Sequence, residues 1–329
     1  MESSCFRTSA GGAARYHRAA RRGIHSERKD AMRRIGCILL LLVIWAAAAL
    51  GEGAEITYRE YGGKITVPAD AEQIDMGKLK VGNFDAFEKF LDQLPNLRRV
   101  DMYATHTFKK QAARLSERHP QIEFGWTLYF GDHTIRSDQT VFSTKHDSIM
   151  RRHTTEELEV LRYCRALRAL DLGHNDLTDI SFLAELTDLR LLILADNRIE
   201  DLSPLKGLER LEYIELFDNR VASAAPLAGL PRLMDLNIAQ NRLESTAPLC
   251  GMTQLKRLWM HACCGGEAVI AEADIQALRA ALPGAQIDTA SLGTDGGWRE
   301  HPHYDVLFQM FKGKDYLPFE DSFTDGEML

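Results

Sequence analysis

Leucine and other apolar residues recur every 22 residues in the centre of the chain. Segments that begin at Leu167, Leu189, Leu211 and Leu233 share the form LxxLxLxxNxL, with isoleucine or valine allowed at the apolar positions, and a fifth segment begins at Leu255. Alternate residues of a strand point to one side, so each LxxLxL predicts a short strand with an apolar inner face. A single unit cannot cover these side chains. Neighbouring units must therefore stack.

An asparagine follows each predicted strand in the same register, at Asn175, Asn197, Asn219 and Asn241. There the chain turns away from the sheet and leaves backbone groups without a ladder partner. A buried amide can satisfy such groups because it both donates and accepts hydrogen bonds. The fifth unit has Cys263 at this position. We expect these five side chains to form one structural column.

Prolines mark the return path of the units, at Pro204, Pro226 and Pro248, with Phe182 in the corresponding place of the first unit. Proline interrupts a regular helix because it lacks an N–H and its ring clashes with the preceding turn. Short turns or single helical turns are therefore predicted on the outer side.

In these motifs the chain resembles the leucine-rich repeat family, in the 22-residue branch that includes internalins and protein-phosphatase regulators. The resemblance implies an α/β solenoid, a curved repeat capped at both ends. Its parallel strands would line the concave face, and short helices or turns the convex face. The resemblance also implies protein recognition on the strand side.

The rest of the chain divides by composition and pattern. Helical spacing is found at 84–94, 108–119, 156–165 and 267–282, and strand patterns at 122–129 and in LPGAQID. We expect the upstream strands to extend the curved sheet well before Leu167. The predicted segments are a basic extension or upstream-start artefact (1–31), a signal segment (32–53), strand–helix units (54–166) with an irregular insertion (130–153), regular repeats (167–265) and a C-terminal helix, strand and aromatic cap (266–329).

Residues 32–53 have the three parts of a secretory signal peptide. Arg33 and Arg34 precede an uncharged run from Ile35 to Leu50, and small residues follow. The run is shorter than the roughly 20 residues of a membrane-spanning helix, so we expect cleavage near residues 48–54. An uncleaved membrane anchor is the alternative, and the basic extension would also suit an organelle transit peptide.

Charge and cysteine content narrow the function classes. Residues 54–329 carry 31 basic and 43 acidic side chains, and this excess of acids disfavours general nucleic-acid binding because it repels phosphate. Export would permit disulfides among Cys164, Cys250, Cys263 and Cys264. Four cysteines are too few for a disulfide-dependent scaffold, and their pairing is left open.

The outward residues of the predicted strands include several aromatic side chains. Exposed aromatic rings are costly unless something covers them, and tyrosine, tryptophan and arginine are favoured at binding hot spots. The alternative is that the C-terminal tail or the 130–153 insertion covers them within the same molecule. The predicted ligand-binding patch consists of Tyr213, Glu215, Phe217, Asp235, Arg257, Trp259 and His261.

Histidine and aspartate offer two weaker candidates for chemistry. Asp132 with His133, and His301 with His303, could hold zinc or move protons, but neither pair has a recognised ligand spacing such as HExxH. No GxSxG nucleophile motif or phosphate-binding loop accompanies them. We therefore predict no catalytic residue, no metal site and no cofactor.

The resulting hypothesis is an exported, non-enzymatic, monomeric recognition protein, secreted or in the periplasm or cell envelope. It would bind a protein or peptide on its concave strand face. A glycan partner is left open, and membrane contact is expected only if the signal is uncleaved. The phrases FGW at Phe124 and GWREHPHY at Gly297 resemble uncharacterised secreted bacterial leucine-rich repeat proteins.

Two other roles compete with recognition. One is a secreted hydrolase or metal-dependent enzyme that uses the His- and Asp-rich 130–153 insertion together with the C-terminal histidines. The other is a purely structural role in an envelope or surface layer.

Overall fold

A computed structural model describes residues 53–145, 151–264 and 270–323. The predicted basic extension (1–31) and the predicted signal segment, except for its last residue, lie outside the described residues. The chain divides into two compact units. Among the described residues, the first comprises 53–74 and Val81–Val100, and the second comprises Asp75–Lys80 and the residues from Asp101 onward.

A hairpin followed by a helix forms the described part of the first unit. Strands β1 (Glu55–Glu60) and β2 (Gly63–Pro68) pair antiparallel, and β3 (Gln73–Asp75) follows them in the chain. Helix α1 (Phe84–Leu91) has an apolar face whose rings pack on the hairpin. The ring of Tyr58 lies 5.3 and 5.4 Å from two phenylalanine rings of α1, and these contacts form the core of the unit.

The second unit continues with most of a long strand, from Asp101 on, followed by a helix and a hairpin. These elements are β4 (Arg99–Phe108), α2 (Lys109–Arg118), β5 (Glu123–Phe130) and β6 (His133–Arg136). Strands β5 and β6 pair antiparallel, and neither belongs to the parallel repeat sheet. The expectation that the strand at 122–129 extends the curved sheet is therefore wrong. Its direct connection to β6 through the turn at residues 131–132 favours a hairpin.

The repeats form one seven-stranded sheet in which all neighbouring strands are parallel and follow chain order. In-register pairing aligns Leu170, Leu192, Ile214, Leu236 and Leu258, all fully buried, in one interior row. The sheet begins within the segment that the sequence assigned to an insertion. Its strands are β7 (Val141–Ser143), β8 (Ala169–Asp171), β9 (Leu191–Ile193), β10 (Tyr213–Glu215), β11 (Asp235–Asn237), β12 (Arg257–Trp259) and β13 (Gln286–Asp288).

The return path on the convex side uses short helical segments. Four 3-10 turns cover Ser181–Glu185, Ser203–Leu205, Ala225–Leu227 and Ala247–Gly251, the last three with proline in the first turn. The predicted α/β solenoid with short convex turns is thus confirmed. The remaining helices are α3 (Thr155–Leu158, extended by a 3-10 turn at Glu159–Tyr163), α4 (Glu272–Ala281) and α5 (Pro302–Gly313).

The four repeat asparagines lie in one buried column between the strands and the return path. The side-chain amide of Asn219 donates to the carbonyl of Leu194 at 2.9 Å and of Leu216 at 3.1 Å, and its Oδ1 accepts from the backbone N–H of Ile199 at 3.0 Å. Asn197 and Asn241 make the corresponding three bonds in their own units. Each amide therefore joins two neighbouring units.

The residue before each column position has a left-handed backbone. His174, Asp196, Asp218, Gln240 and Ala262 have φ between 49° and 60°, a region that non-glycine residues rarely adopt. The same turn thus recurs in every unit, and it directs the following asparagine or Cys263 inward. Cys263 is buried at the fifth position, and the structure gives all four described cysteines as free.

We expect Asn219→Ala to lower the free energy of unfolding by about 3 kcal/mol or more, because it leaves several buried backbone groups without hydrogen-bond partners. Urea unfolding monitored by circular dichroism would measure the loss. Asn96, which is exposed, supplies the matched control: Asn96→Ala should change stability by less than about 0.5 kcal/mol. Equal effects of the two substitutions would contradict the role given to the column.

Candidate functional site

The outward residues of the strands lie beneath the C-terminal part of the chain. We call residues 293–323 the C-terminal strap. Its buried side chains Trp298, Leu307, Met310 and Phe319 join outward residues of the strands in one apolar cluster. Those strand residues are Val141, Ala169, Leu191, Tyr213 and Trp259. The strap therefore follows the concave face along most of the sheet.

Trp298 fills the centre of this contact and is completely buried. Its ring lies 5.3 Å from that of Tyr213 and 5.2 Å from that of Trp259. Its indole N–H donates to Tyr213 Oη at 2.8 Å and to Glu215 Oε2 at 3.0 Å. Trp259 in turn donates its indole N–H to the backbone carbonyl of Asp295 at 2.9 Å. Both tryptophans are thus covered with their polar atoms satisfied, as buried indoles require.

A chain of hydrogen-bonded acidic and basic side chains holds the strap to β11 and β12. Arg257 donates two hydrogen bonds to the carboxylate of Asp235, both at 2.8 Å. His303 of the strap lies between two carboxylates, with Nδ1 at 2.5 Å from Asp235 Oδ2 and Nε2 at 2.7 Å from Asp321 Oδ1. Lys256 completes the chain at 2.5 Å from Asp321. These side chains are paired between the sheet and the strap, so moving the strap away from the sheet would leave them without partners.

Burial and hydrogen bonding act in opposite directions on the acids beneath the strap. Burial raises the pKa of Glu215, although hydrogen bonds from Tyr213 and Trp298 oppose the rise. Burial also tends to raise the pKa of Asp235, but hydrogen bonds from Arg257 and His303 outweigh it and lower the pKa. The lower pKa of Asp235 favours the ionised carboxylate that both donors need.

The seven residues of the predicted patch come together, but not as an open surface. Five of them are buried, namely Tyr213, Glu215, Asp235, Arg257 and Trp259. The other two are partly buried. Phe217 lies beside Gly293, and His261 Nδ1 is 3.1 Å from the carbonyl of Thr289. The structure thus has the alternative arrangement, in which the C-terminal tail covers the patch.

The tail also differs from the predicted end cap. Ile287 of the last strand, β13, is only partly buried, whereas the outward residues of β8 to β12 are mostly fully buried. Large apolar and aromatic side chains on several strands offer more surface to cover than one terminal strand does, and burial of apolar surface favours that contact. No sequence motif distinguishes a tail that caps an end from one that lies on the strands.

Among the described residues, a groove of about 1070 Å³ lies open between the start of the sheet and α5. Apolar side chains from β7, β9 and α5 form part of its wall, and Phe308 of α5 is 65% exposed there. Lys145, Lys312 and Lys314 add three exposed cationic groups. This groove has no signature in the sequence, because its walls come from distant parts of the chain. The pattern of exposed and buried residues in α5 is that of any amphipathic helix, and it does not indicate that the helix borders a groove.

Asp132, His133 and His153 form a compact cluster at the same end of the unit. His133 Nε2 lies 3.0 Å from His153 Nε2, and Asp132 Oδ1 lies 3.6 and 3.5 Å from these two atoms. His133, from the first candidate pair, belongs to this cluster, whereas His303, from the second, lies between Asp235 and Asp321. The two groups of the hypothetical enzyme are therefore not brought together in the described residues.

Comparisons with known proteins agree with the repeat architecture. The family model for leucine-rich repeats, which describes two copies of the repeat, matches residues 165–207. These residues match the leucine-rich repeat model, and the parallel sheet they belong to is an α/β solenoid. Repeats of this class commonly serve as protein-binding scaffolds. No curated protein sequence matches the chain.

Solved structures with similarity to the chain include two internalins of Listeria monocytogenes. Internalin C2 is 23% identical over 50% of this chain and 63% of its own, with a TM-score of 0.32. Internalin F is 17% identical over 70% of this chain and 72% of its own, with a TM-score of 0.32. A leucine-rich repeat protein of Leptospira interrogans is 17% identical over 70% and 51%, with a TM-score of 0.37. This chain thus spans under two thirds of internalin C2.

We expect Trp298→Ala to lower the free energy of unfolding by about 3–5 kcal/mol, the usual cost of removing a fully buried large aromatic side chain. The Tyr213 and Glu215 side chains would also lose their indole donor. Urea unfolding would measure this loss. The exposed Phe308 is the control on the same segment, and Phe308→Ala should change stability by less than about 0.5 kcal/mol. A mild effect of Trp298→Ala would mean that the strap is loosely held.

Acid should weaken the contact through Asp321. Partial burial tends to raise its pKa, but hydrogen bonds from Lys256 and His303 lower it to about 2. Because the folded pKa lies below the unfolded value of about 3.9, the carboxylate stabilises the fold fully above about pH 5. Its contribution is lost as the pH falls through about 2.

The difference in unfolding free energy between the wild type and Asp321→Asn should therefore be constant at neutral pH and vanish in strong acid. Denaturant unfolding at a series of pH values would measure it. Asp315→Asn, at an exposed position of the strap, is the control. A difference that stays constant into strong acid would contradict the assignment.

Proposed function

We propose that this protein is an exported recognition protein that binds a protein or peptide segment in the groove between β7, β9 and α5. The groove carries the proposal, since it is a sizeable concavity with apolar and charged walls on the strand side that the strap leaves open. The leucine-rich repeats provide a rigid wall for it. Association with a preformed site loses little ordering entropy.

The chemistry of the groove favours an acidic segment with a large apolar side chain. Phe308 is 65% exposed, and Phe311 and Ile193 are partly buried, so an apolar side chain of the partner would remove their surfaces from water. The lysines at 145, 312 and 314 would attract carboxylates on the same segment. Burial raises the pKa of Asp171 on the groove wall, although hydrogen bonds from the backbone N–H of Gly173 and from Ser143 oppose the rise.

Export rests on the sequence of residues 32–53, where a basic pair precedes an uncharged run and small residues. Among the described residues, no helix has the length and apolar character needed to cross a membrane. We place the mature protein outside the cytoplasm, with the acidic body facing its partner in the extracellular medium or cell envelope. A non-enzymatic role is part of this proposal.

The seven-residue patch has a different role in this proposal from the one expected for it. Its aromatic and charged side chains hold the C-terminal strap, and the strap in turn presents α5 as the second wall of the groove. A partner could reach Tyr213 or Trp259 only after the strap had moved, which would break the buried bonds of Trp298 and His303.

Selection of peptides from a displayed random library on the purified full chain tests the groove. We expect enriched peptides to combine acidic and large apolar residues. Phe308→Ala and Lys312→Glu should each weaken their binding by about tenfold or more, the loss typical of an interface hot spot. Binding that is unchanged in both variants would overturn the proposed site.

Matched controls lie outside the groove. Phe108 is 53% exposed and Lys110 is exposed, and neither lines the groove, so Phe108→Ala and Lys110→Glu should bind the peptides like the wild type. Asp321→Asn separates the groove from the covered patch. If the patch were the binding site, loosening the strap would raise the affinity, whereas the affinity of the groove should not rise, because the strap holds its α5 wall in place.

A further inference from the structure

We propose that Asp132, His133 and His153 form a zinc-binding site in the wall of the groove. This inference is independent of the proposed recognition function. It departs from the sequence-based expectation of no metal, since of these three residues the sequence pointed only to the adjacent pair Asp132 and His133. The third ligand stands 20 residues further along the chain, and only the fold brings it to the pair.

The separations among the three donor atoms fit a single ion. Zinc binds imidazole nitrogen and carboxylate oxygen at about 2.0–2.2 Å, so two ligands of a tetrahedral ion lie about 3.3 Å apart. The separations here are 3.0 Å between the two Nε2 atoms and 3.5 and 3.6 Å from these atoms to Asp132 Oδ1. The three atoms thus form a triangle of the right size.

Burial gives the two imidazoles a fixed geometry. The side chains of His133 and His153 are 2% and 1% exposed, respectively, whereas that of Asp132 is 55% exposed. Zinc-binding histidines need a free electron pair at the coordinating nitrogen, and the other ring nitrogen then carries the proton. Two buried Nε2 atoms that face each other beside a carboxylate offer this arrangement.

Glu157 is placed to orient His153. Its Oε2 lies 3.4 Å from His153 Nδ1, a buried atom without a hydrogen-bond partner within the usual distance and angle limits. A carboxylate in that position can accept the Nδ1 proton, which leaves Nε2 free for the metal, as in carboxylate–histidine–zinc arrangements. The other oxygen of Glu157 accepts a hydrogen bond from Arg151. Glu157 is therefore a positioning residue in this proposal.

Gly131 provides the space for this arrangement. Its φ is +55°, and a Cβ at this position would lie 3.1 Å from Cε1 and 3.2 Å from Nδ1 of the His153 ring. A side chain here would therefore strain the backbone and press on the third ligand. The turn between β5 and β6 thus brings Asp132 and His133 against His153 through a glycine.

Three protein ligands leave one tetrahedral position for water or another ligand. Asp132 and His133 line the groove, so the ion would border the space in which we place the partner. A partner carboxylate could take the fourth position. In the part of the chain that the structure describes, the ligand atoms of Asp132, His133 and His153 all lie within 4.8 Å of one another, close enough for a single ion.

Titration of the chelator-treated full chain with zinc sulfate, followed by calorimetry, tests the site. We expect one ion per chain, and substitution by cobalt should give the intense visible absorption of a tetrahedral ion. His133→Gln and His153→Gln should each weaken binding by more than about 100-fold. Glu157→Gln should weaken it by about 10- to 100-fold, the usual cost of losing a group that orients a ligand.

The variants separate ligand loss from misfolding. Glutamine at 157 can retain the capping-box hydrogen bond to Thr154, so Glu157→Gln should preserve the start of α3. His106→Gln, at an exposed histidine outside the cluster, should leave zinc binding unchanged. Asp132→Asn alters an exposed ligand and remains informative if a buried histidine variant fails to fold. Absence of stoichiometric binding, or equal binding by the wild type and the ligand variants, would overturn the proposal.

Discussion

The structure depends on satisfying the backbone where each strand ends and the chain turns away. At that point a short strand can no longer use ladder hydrogen bonds, and the groups are buried between units. The repeat asparagines meet this requirement by bonding to backbone atoms of their own unit and of the preceding one. Because each amide joins two units, it fixes the register between them and also supplies hydrogen-bond partners to their buried backbone groups. The interior row of leucine and isoleucine is then aligned and buried, and the parallel sheet follows.

A solenoid built in this way leaves the outward residues of its strands to be used or covered. Here the chain covers most of them itself. The strap buries two tryptophans against each other, and each indole finds an acceptor. It also completes an alternating series of basic and acidic side chains from Arg257 through Asp235, His303 and Asp321 to Lys256. Unpaired buried charges are far more costly than paired ones, so this network favours a strap that remains in place.

The strap also supplies many of the side chains that line the groove at the uncovered end of the concave face. Helix α5 supplies exposed aromatic and lysine side chains, and β7 and β9 supply the opposite apolar wall. The proposed zinc site lies at the same end, where a glycine turn brings two residues against a histidine that precedes α3. An apolar wall, three cations and a metal would together favour a partner with both apolar and carboxylate groups. These features arise from segments that flank the regular repeats.

The sequence by itself determined the repeat unit, the parallel sheet and the short convex turns, because each depends on residues close together in the chain. The period of 22, the positions of the asparagines and the prolines all act locally or between adjacent units. The interior row at Leu170 and Leu192 could be assigned for the same reason. The tertiary structure alone decided the fate of the outward residues. Whether Trp259 faces a partner or Trp298 depends on where a distant tail packs, and His153 joins His133 only through the fold. Such contacts depend on the free energy of packing distant segments together, for which the local pattern of residues carries no signal.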